Sequence, residues 1–170
     1  MIVGIMSDSH GDVRATARAI DLLSAGGAAY FIHCGDVCGE AVLDCLTCRP
    51  ATFVWGNCDL PTPQLRKYVL AVGLSWPDGP ARLDLAGKRI GVYHGHERQF
   101  AESINGDFDY VFYGHTHEFA DDRRGMIRLI NPGALYRARP RTCALLNLAT
   151  DELTFLDLRT GNPVQLPVAK

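Results

Sequence analysis

Short polar loops carrying Asp, Asn and His recur along this chain, each after a run rich in apolar residues. Asp8 and His10 follow Ile2 to Met6, Asp36 follows Ala29 to His33, and Asn57 follows Thr52 to Trp55. His94 and His96 follow Arg89 to Tyr93, and His115 and His117 follow Tyr110 to Tyr113. All are potential metal donors of oxygen or imidazole type with no obligatory thiolate, a set that suits Mn, Fe, Ni or Zn and disfavours a structural Cys-rich zinc site. They exceed what one tetrahedral ion needs, whereas two ions sharing a bridging carboxylate would use seven of them. Two ions about 3.5–4 Å apart can acidify a bridging water and clamp an in-line displacement at phosphorus. Asp8 with His10, and His115 with His117, stand at i and i+2, and in extended backbone such pairs point the same way.

Donors this far apart in sequence meet only if their loops share one edge of the fold. Strand, loop and helix alternate in the first half: Ile2 to Met6, a helix capped by Asp12 and running to about Leu23, Ala29 to His33, a helix over Glu40 to Cys48, then Thr52 to Trp55. That alternation predicts a mainly parallel sheet with covering helices, whose strand C-termini open on one crevice. A short helix is expected over Pro63 to Val69 and a loop over Ser75 to Pro80. The second half predicts a hairpin, Arg82 to Leu85 with Arg89 to Tyr93, and a helix over Glu97 to Asn105. Strands follow at Tyr110 to Tyr113 and in successive hairpins from Phe119, the last being Leu153 to Leu158, before a polar tail. A parallel half followed by an antiparallel half suggests two face-to-face sheets with helices outside, in one domain spanning residues 1–170.

Composition narrows the function classes. The chain has 170 residues, 47% of them hydrophobic and 21% charged, which is the balance of an ordinary globular domain. Its net charge of −2 gives no general attraction to nucleic acid or to anionic membrane. No stretch approaches the roughly 18 apolar residues of a membrane span, and the N-terminus MIVGIMSDSH does not read as a secretion signal, so a cytoplasmic location is expected. The six Cys are accordingly read as reduced thiols. Cys45 and Cys48 form a CxxC, but with no second CxxC they are assigned to the buried side of an amphipathic helix rather than to metal or redox work.

Asp8-Ser9-His10, Gly35-Asp36, Gly56-Asn57-Cys58-Asp59, His94-Gly95-His96 and Gly114-His115-Thr116-His117, in this order and spacing, resemble the calcineurin-like metallophosphoesterases. More narrowly they resemble the small microbial phosphodiesterase branch, which includes relatives of the retromer scaffold subunit. The blocks cover about two thirds of the chain, and Asn131-Pro132-Gly133 fits the same branch. The resemblance implies an α/β fold, a four-layer αββα sandwich of two mixed sheets flanked by helices. It also implies a metal-dependent phosphoesterase acting on small phosphodiesters or phosphomonoesters, with a metal-bridging hydroxide as nucleophile. Asp8, His10 and His117 would hold the first of two divalent ions, Asp36 would bridge, and Asn57, His94 and His115 would hold the second. Manganese is the first choice of metal, with Ni, Zn, Fe or Mg as alternatives. Small members of the branch are often dimers or larger, so a homo-oligomer is an expectation too.

Larger family members carry a His after the motif Asn, where it is thought to protonate the leaving group. Here that position is Cys58, and His96 becomes the candidate for contacting the phosphate or shuttling a proton. Cys58 and Asp59 are candidates for lining or supporting the pocket. Two divalent ions against Asp8, Asp36 and a hydroxide leave a site of about +1, matched to one anionic phosphodiester. His33 reads as a structural group hydrogen bonded behind the site. Asp121 to Arg124 reads as a solvated hairpin end, and Arg137, Arg139 and Arg141 as mostly solvated, although one of them could reach a phosphate oxygen. The other class compatible with the resemblance is a scaffold that keeps the fold to hold a protein partner. The complete donor set favours an enzyme, and the absence of a basic track argues against a nuclease for long nucleic acid.

Overall fold

The protein is described by a computed structural model that covers residues 1–103 and 106–166. The strands are β1 (Ile2–Met6), β2 (Tyr30–His33), β3 (Ala51–Phe53), β4 (Ala81–Leu85), β5 (Lys88–Val92), β6 (Tyr110–Phe112), β7 (Phe119–Arg124), β8 (Ile127–Pro132), β9 (Thr142–Asn147), β10 (Glu152–Asp157) and β11 (Pro163–Val164). The helices are α1 (Val13–Ala25), α2 (Glu40–Asp44), α3 (Pro63–Ala71) and α4 (Arg98–Ser103). One sheet runs β11-β10-β9-β1-β2-β3 and the other β4-β5-β6-β8-β7.

The layers follow from which side chains each strand turns inward. Val3 and Ile5 of β1 and Ile32 of β2 meet Ile90, Val92, Phe112 and Ile130 of the second sheet in a core between the sheets. Met6 and Phe31 face the opposite way, packing with Ala19, Leu23, Leu43 and Leu46 beneath the helices. A Cβ on Gly4 would lie 3.0 Å from Leu23, so this glycine sets how closely α1 lies on β1. A smaller cluster, Tyr93, Val111, Ile127 and Leu129 with Phe100 and Phe108, covers the outer face of the second sheet. The order helix, sheet, sheet, helix is the expected four-layer sandwich.

Helix signals read locally were sound where a cap was present. Asp12 accepts a hydrogen bond from the Ala15 amide, and Thr62 one from the Leu65 amide ahead of Pro63. The helix expected over Glu40 to Cys48 is shorter, ending at Asp44 and continuing in tight turns, with the Cys45 N–H donating to Val42. Cys48 is consequently exposed and Cys45 only half-buried, which corrects their assignment to a buried helix face. Part of the helix expected over Glu97 to Asn105 lies outside the described residues.

Two further expectations change. The sheets are not the two halves of the chain, because β1 is central and needs a partner on each edge. It takes β2 in parallel on one side and β9 in antiparallel on the other, drawing β9 to β11 back onto the first sheet. The tail after Leu158 is not wholly loop, since β11 pairs with β10. Asp121 is also more than a solvated hairpin end, because its carboxylate takes Arg128 Nε and Nη2 at 2.7 and 2.8 Å. The same buried Arg128 reaches Asp151 at 2.6 Å in the β9–β10 turn and so ties the two sheets together.

Although burial opposes it, pairing with Arg128 and Arg123 holds the Asp151 carboxyl at about 2, below its ordinary value of 3.8. The pairing therefore stabilises the fold above pH about 4, and that contribution fades as the pH falls toward 2. An Arg128→Ala variant should lose about 1–3 kcal/mol in urea unfolding at neutral pH, and the gap to the parent should narrow in acid.

Candidate metal centre

Five loops leave the C-terminal ends of β1, β2, β3, β5 and β6 at one edge of the sandwich. The first two are laced by backbone hydrogen bonds, Asp8 N–H to Gly35 O at 3.0 Å and His10 N–H to Asp36 O at 2.9 Å. The fourth and fifth join through Gly114 N–H to His94 O at 2.8 Å. Asn131 clamps the fifth loop, its amide donating to Gly114 O at 2.9 Å and Thr116 Oγ1 at 3.1 Å.

The donors converge, though not through the extended backbone expected of the i, i+2 pairs. Asp8, His10, His115 and His117 have φ of 53°, 44°, 69° and 62°, and Asp36 and Cys38 have 54° and 56°. These left-handed conformations are strained for such residues and persist only where surrounding structure imposes them. Glycines make room for the same turns. A Cβ on Gly56 would sit 2.1 Å from Asp36 Oδ1, one on Gly114 1.9 Å from Ser7 Oγ and 2.6 Å from Asp8 Oδ2, and one on Gly35 2.7 Å from the His94 ring.

Asp8, His10 and His117 form one compact donor group, and Asp8, Asp36 and His94 another. His10 Nε2 and His117 Nε2 lie 3.3 Å apart, and Asp8 Oδ1 lies 3.2 Å from His117 Nε2. Asp36 Oδ2 stands between the groups, 3.5 Å from His10 Nε2 and 3.4 Å from His94 Nε2. Asn57 Oδ1 is 3.0 Å from His94 Nε2. His115 stands beside these groups, its ring centre 5.1 Å from that of His94, while its backbone N–H donates to Asp8 Oδ2 at 3.1 Å.

Two features test whether a cation fits. Asp8 Oδ1 is buried with no hydrogen-bond partner among the described residues, and burial pushes the Asp8 carboxyl above its ordinary range. His94 Nδ1 faces the Cys34 carbonyl at 2.8 Å and must donate to it, leaving Nε2 as a lone pair aimed at Asn57 Oδ1. Two acceptors in that arrangement need a proton or a metal ion between them. Burial pushes the His94 value down, but the hydrogen bonds with Asp36 and the Cys34 carbonyl raise it on balance. Burial likewise opposes ionisation of Asp36, yet hydrogen bonds from His94 and from the Cys58 amide hold it well below the usual carboxylate range. The donors fit divalent ions.

The remaining candidates surround this cluster. His33 is fully buried, its Nε2 3.0 Å from Ser9 Oγ, and burial lowers it to about 3, so it is neutral. His96 is at the rim, 36% exposed, its ring 5.4 Å from His94 and its Nδ1 3.7 Å from Glu97. Cys58 is exposed, and its sulfur lies within 4.8 Å of donor atoms of His10 and Asp36. Its hydrogen bond with Asp36 raises the thiol value. Asp59 accepts from the amides of Gly56, Val37 and Cys38, which fixes the second and third loops to each other. Sequence reading passed over Glu97, whose two oxygens take the amides of His94 and Gly95 at 2.7 Å each. A carboxylate placed just after a His-Gly turn was the available signal. Cys38, 3.9 Å from His10 Nδ1, and Tyr136, whose ring centre is 5.4 Å from that of His10, carried no such signal.

The chain is similar to known proteins over most of its length. The family model for the calcineurin-like phosphoesterase superfamily domain matches residues 1–151. A phosphodiesterase of Methanocaldococcus jannaschii is 28% identical over 138 residues, covering 78% of this chain and 83% of the relative. A solved archaeal phosphodiesterase superposes with a TM-score of 0.80 at 26% identity, over 92% of this chain and 99% of that one. The zinc complex of Vps29 from Entamoeba histolytica shares the fold, with a TM-score of 0.67 at 22% identity and 96% coverage of both chains.

The unpartnered Asp8 oxygen predicts opposite effects of one substitution. Asp8→Asn should raise the melting temperature of the metal-free protein by about 2–4 °C, because the buried charge is gone. In calorimetric titration the same variant should bind Mn²⁺ far more weakly than the parent.

Proposed function

The chain belongs to the calcineurin-like phosphoesterase superfamily, and we propose that it is a phosphodiesterase acting on small phosphodiesters through two divalent metal ions, manganese first among them. The observation that carries the reading is the place of Asp36, whose Oδ2 lies within 3.5 Å of one imidazole of each donor set. Asp8, His10 and His117 would hold one ion, Asn57, His94 and His115 the other, and Asp36 would serve both. When bound, such a pair supplies an activated water as nucleophile and positive charge for the phosphorane-like transition state.

The residues around the ions have separate tasks. Cys34 fixes the His94 tautomer through its carbonyl, so that Nε2 and not Nδ1 faces inward. Glu97 holds the fourth loop through the amides of His94 and Gly95, and Asn131 holds the fifth through Gly114 and Thr116. His96, at the open rim, is placed to contact a phosphate oxygen or to pass a proton to the leaving group. Cys58, with its thiol value raised, stays protonated at neutral pH and lines the mouth between Asp36 and solvent. Asp59 supports the loops and is not a substrate contact, since three backbone amides occupy its oxygens.

We read residues 1–170 as one catalytic domain working in the cytoplasm, on a phosphodiester in preference to a monoester. Among the described residues no helix is long and apolar enough to cross a membrane. With Mn²⁺, the purified protein should hydrolyse bis(p-nitrophenyl) phosphate and lose that activity on chelation. Asp36→Ala should lower kcat/KM by about 100-fold or more, the effect of removing a shared ligand. An Asp36→Ala protein with full metal-dependent activity would overturn the proposal and leave the scaffold reading.

A further inference from the structure

Between β8 in one sheet and β9 in the other, residues 133–141 cross beside the metal centre. The crossing is anchored by Leu135 N–H donating to Ser7 O at 3.1 Å, beside Asp8. Tyr136 lies against His10, and the Arg137 guanidinium sits 4.9 Å from the centre of the Tyr136 ring. The two spacings bring Arg137 within about 10 Å of the His10 ring. Arg137 also has a positive φ, 51°, a conformation it shares with five of the site residues.

Arg139 and Arg141 follow on the same crossing and, with Arg159 and Asp157, line an open recess of about 320 Å³. Arg141 Nη1 is 3.6 Å from Asp12 Oδ2. Arg139, Arg141 and Arg159 thus share this surface with two aspartates, and the exposed Arg137 precedes the first two on the same crossing, in a chain whose overall charge is −2. Arg137 and Arg139 have no carboxylate within ion-pair distance among the described residues. A solvated surface has no need to gather unpaired guanidinium groups beside a phosphoesterase site, and guanidinium is the side chain best matched to phosphate.

We propose that this arginine ledge binds a second phosphate, so that the substrates are small phosphodiesters bearing a further phosphate group on the part that lies over Tyr136. The inference rests on the phosphodiesterase reading for the scissile bond, whereas the ledge binds independently of the chemistry. Single-charge diesters fill the metal centre alone, and those with an added phosphate also engage Arg137, Arg139 and Arg141. The contact is solvent-exposed, so it weakens as ionic strength rises through the physiological range.

Two substrates separate the contributions: the p-nitrophenyl ester of thymidine 5′-phosphate, and the same ester phosphorylated on its 3′-hydroxyl. The parent protein should favour the second by about tenfold in kcat/KM, the combined effect of several exposed charge pairs. R137Q/R139Q/R141Q should bring that ratio to about one, and R137K/R139K/R141K should keep most of it. In calorimetry on the full chain, with and without Mn²⁺, thymidine 3′,5′-bisphosphate should bind the parent about tenfold tighter than the glutamine variant. Equal kcat/KM for the two esters in the parent, or equal bisphosphate binding by parent and glutamine variant, would overturn the ledge while leaving the phosphodiesterase intact. Bisphosphate discrimination without hydrolysis of either ester would overturn the phosphodiesterase and leave the ledge.

Discussion

Two carboxylates, Asp8 and Asp36, are held almost out of water beside three imidazoles, and much of the structure at this edge exists to keep them there. Burying carboxylates is unfavourable unless each oxygen finds a donor or a cation. Asp36 has donors in His94 and the Cys58 amide, but Asp8 Oδ1 has none among the described residues. Side chains alone could not enforce such an arrangement. The backbone does it, through left-handed turns at Asp8, His10, Asp36, His115 and His117 and through glycines that leave no room for a Cβ. The topology brings the turns together, since the parallel strands of both sheets end at one edge.

Much of this was legible in the sequence because chemistry and topology left signals of the same kind. An apolar run followed by a short polar turn carrying Asp, Asn or His marks both a strand end and a donor, and five of them in series, three opening on Gly-Asp, Gly-Asn or Gly-His, indicate one crevice. The helix capped by Asp12 was legible for the same local reason, and the one opening at Pro63 proves to have a side-chain cap as well, from Thr62. What sequence could not show depends on contacts made across the fold. The return of β9 to β1 is decided by which strand edge stays unpaired, and the Asp121–Arg128–Asp151 link by where two turns meet. Of the i, i+2 pairs, Asp8 and His10 share a donor group through left-handed rather than extended backbone, whereas His117 joins them and His115 stands apart, because spacing does not reveal whether a loop is extended or left-handed.

The glycines show how one short motif carries two constraints. Gly35, Gly56 and Gly114 precede or flank donors, and a Cβ at each would strike a different site residue. Of the three, only Gly35 has a positive φ, at 94°; at Gly56 and Gly114 the requirement is space alone. Donor identity and backbone clearance are thus written into the same dipeptides. The crossing over residues 133–141 carries the same kind of constraint at Gly133, where φ is 80° and a Cβ would lie 2.0 Å from Thr142 Oγ1, while the exposed side chains of Arg137 and Arg139 further along are not fixed in this way.

On the reading proposed above, the two donor groups form one site for two ions, joined by Asp36, and not two unrelated clusters. That reading is tested directly by the metal stoichiometry of the 170-residue chain, stripped with chelator, reloaded with Mn²⁺, freed of loose metal and subjected to elemental analysis. Two manganese ions per chain are expected, falling below one when Asp36 is replaced by Ala. A parent protein that retains one ion or none, or an Asp36→Ala protein that still holds two, would contradict the shared centre.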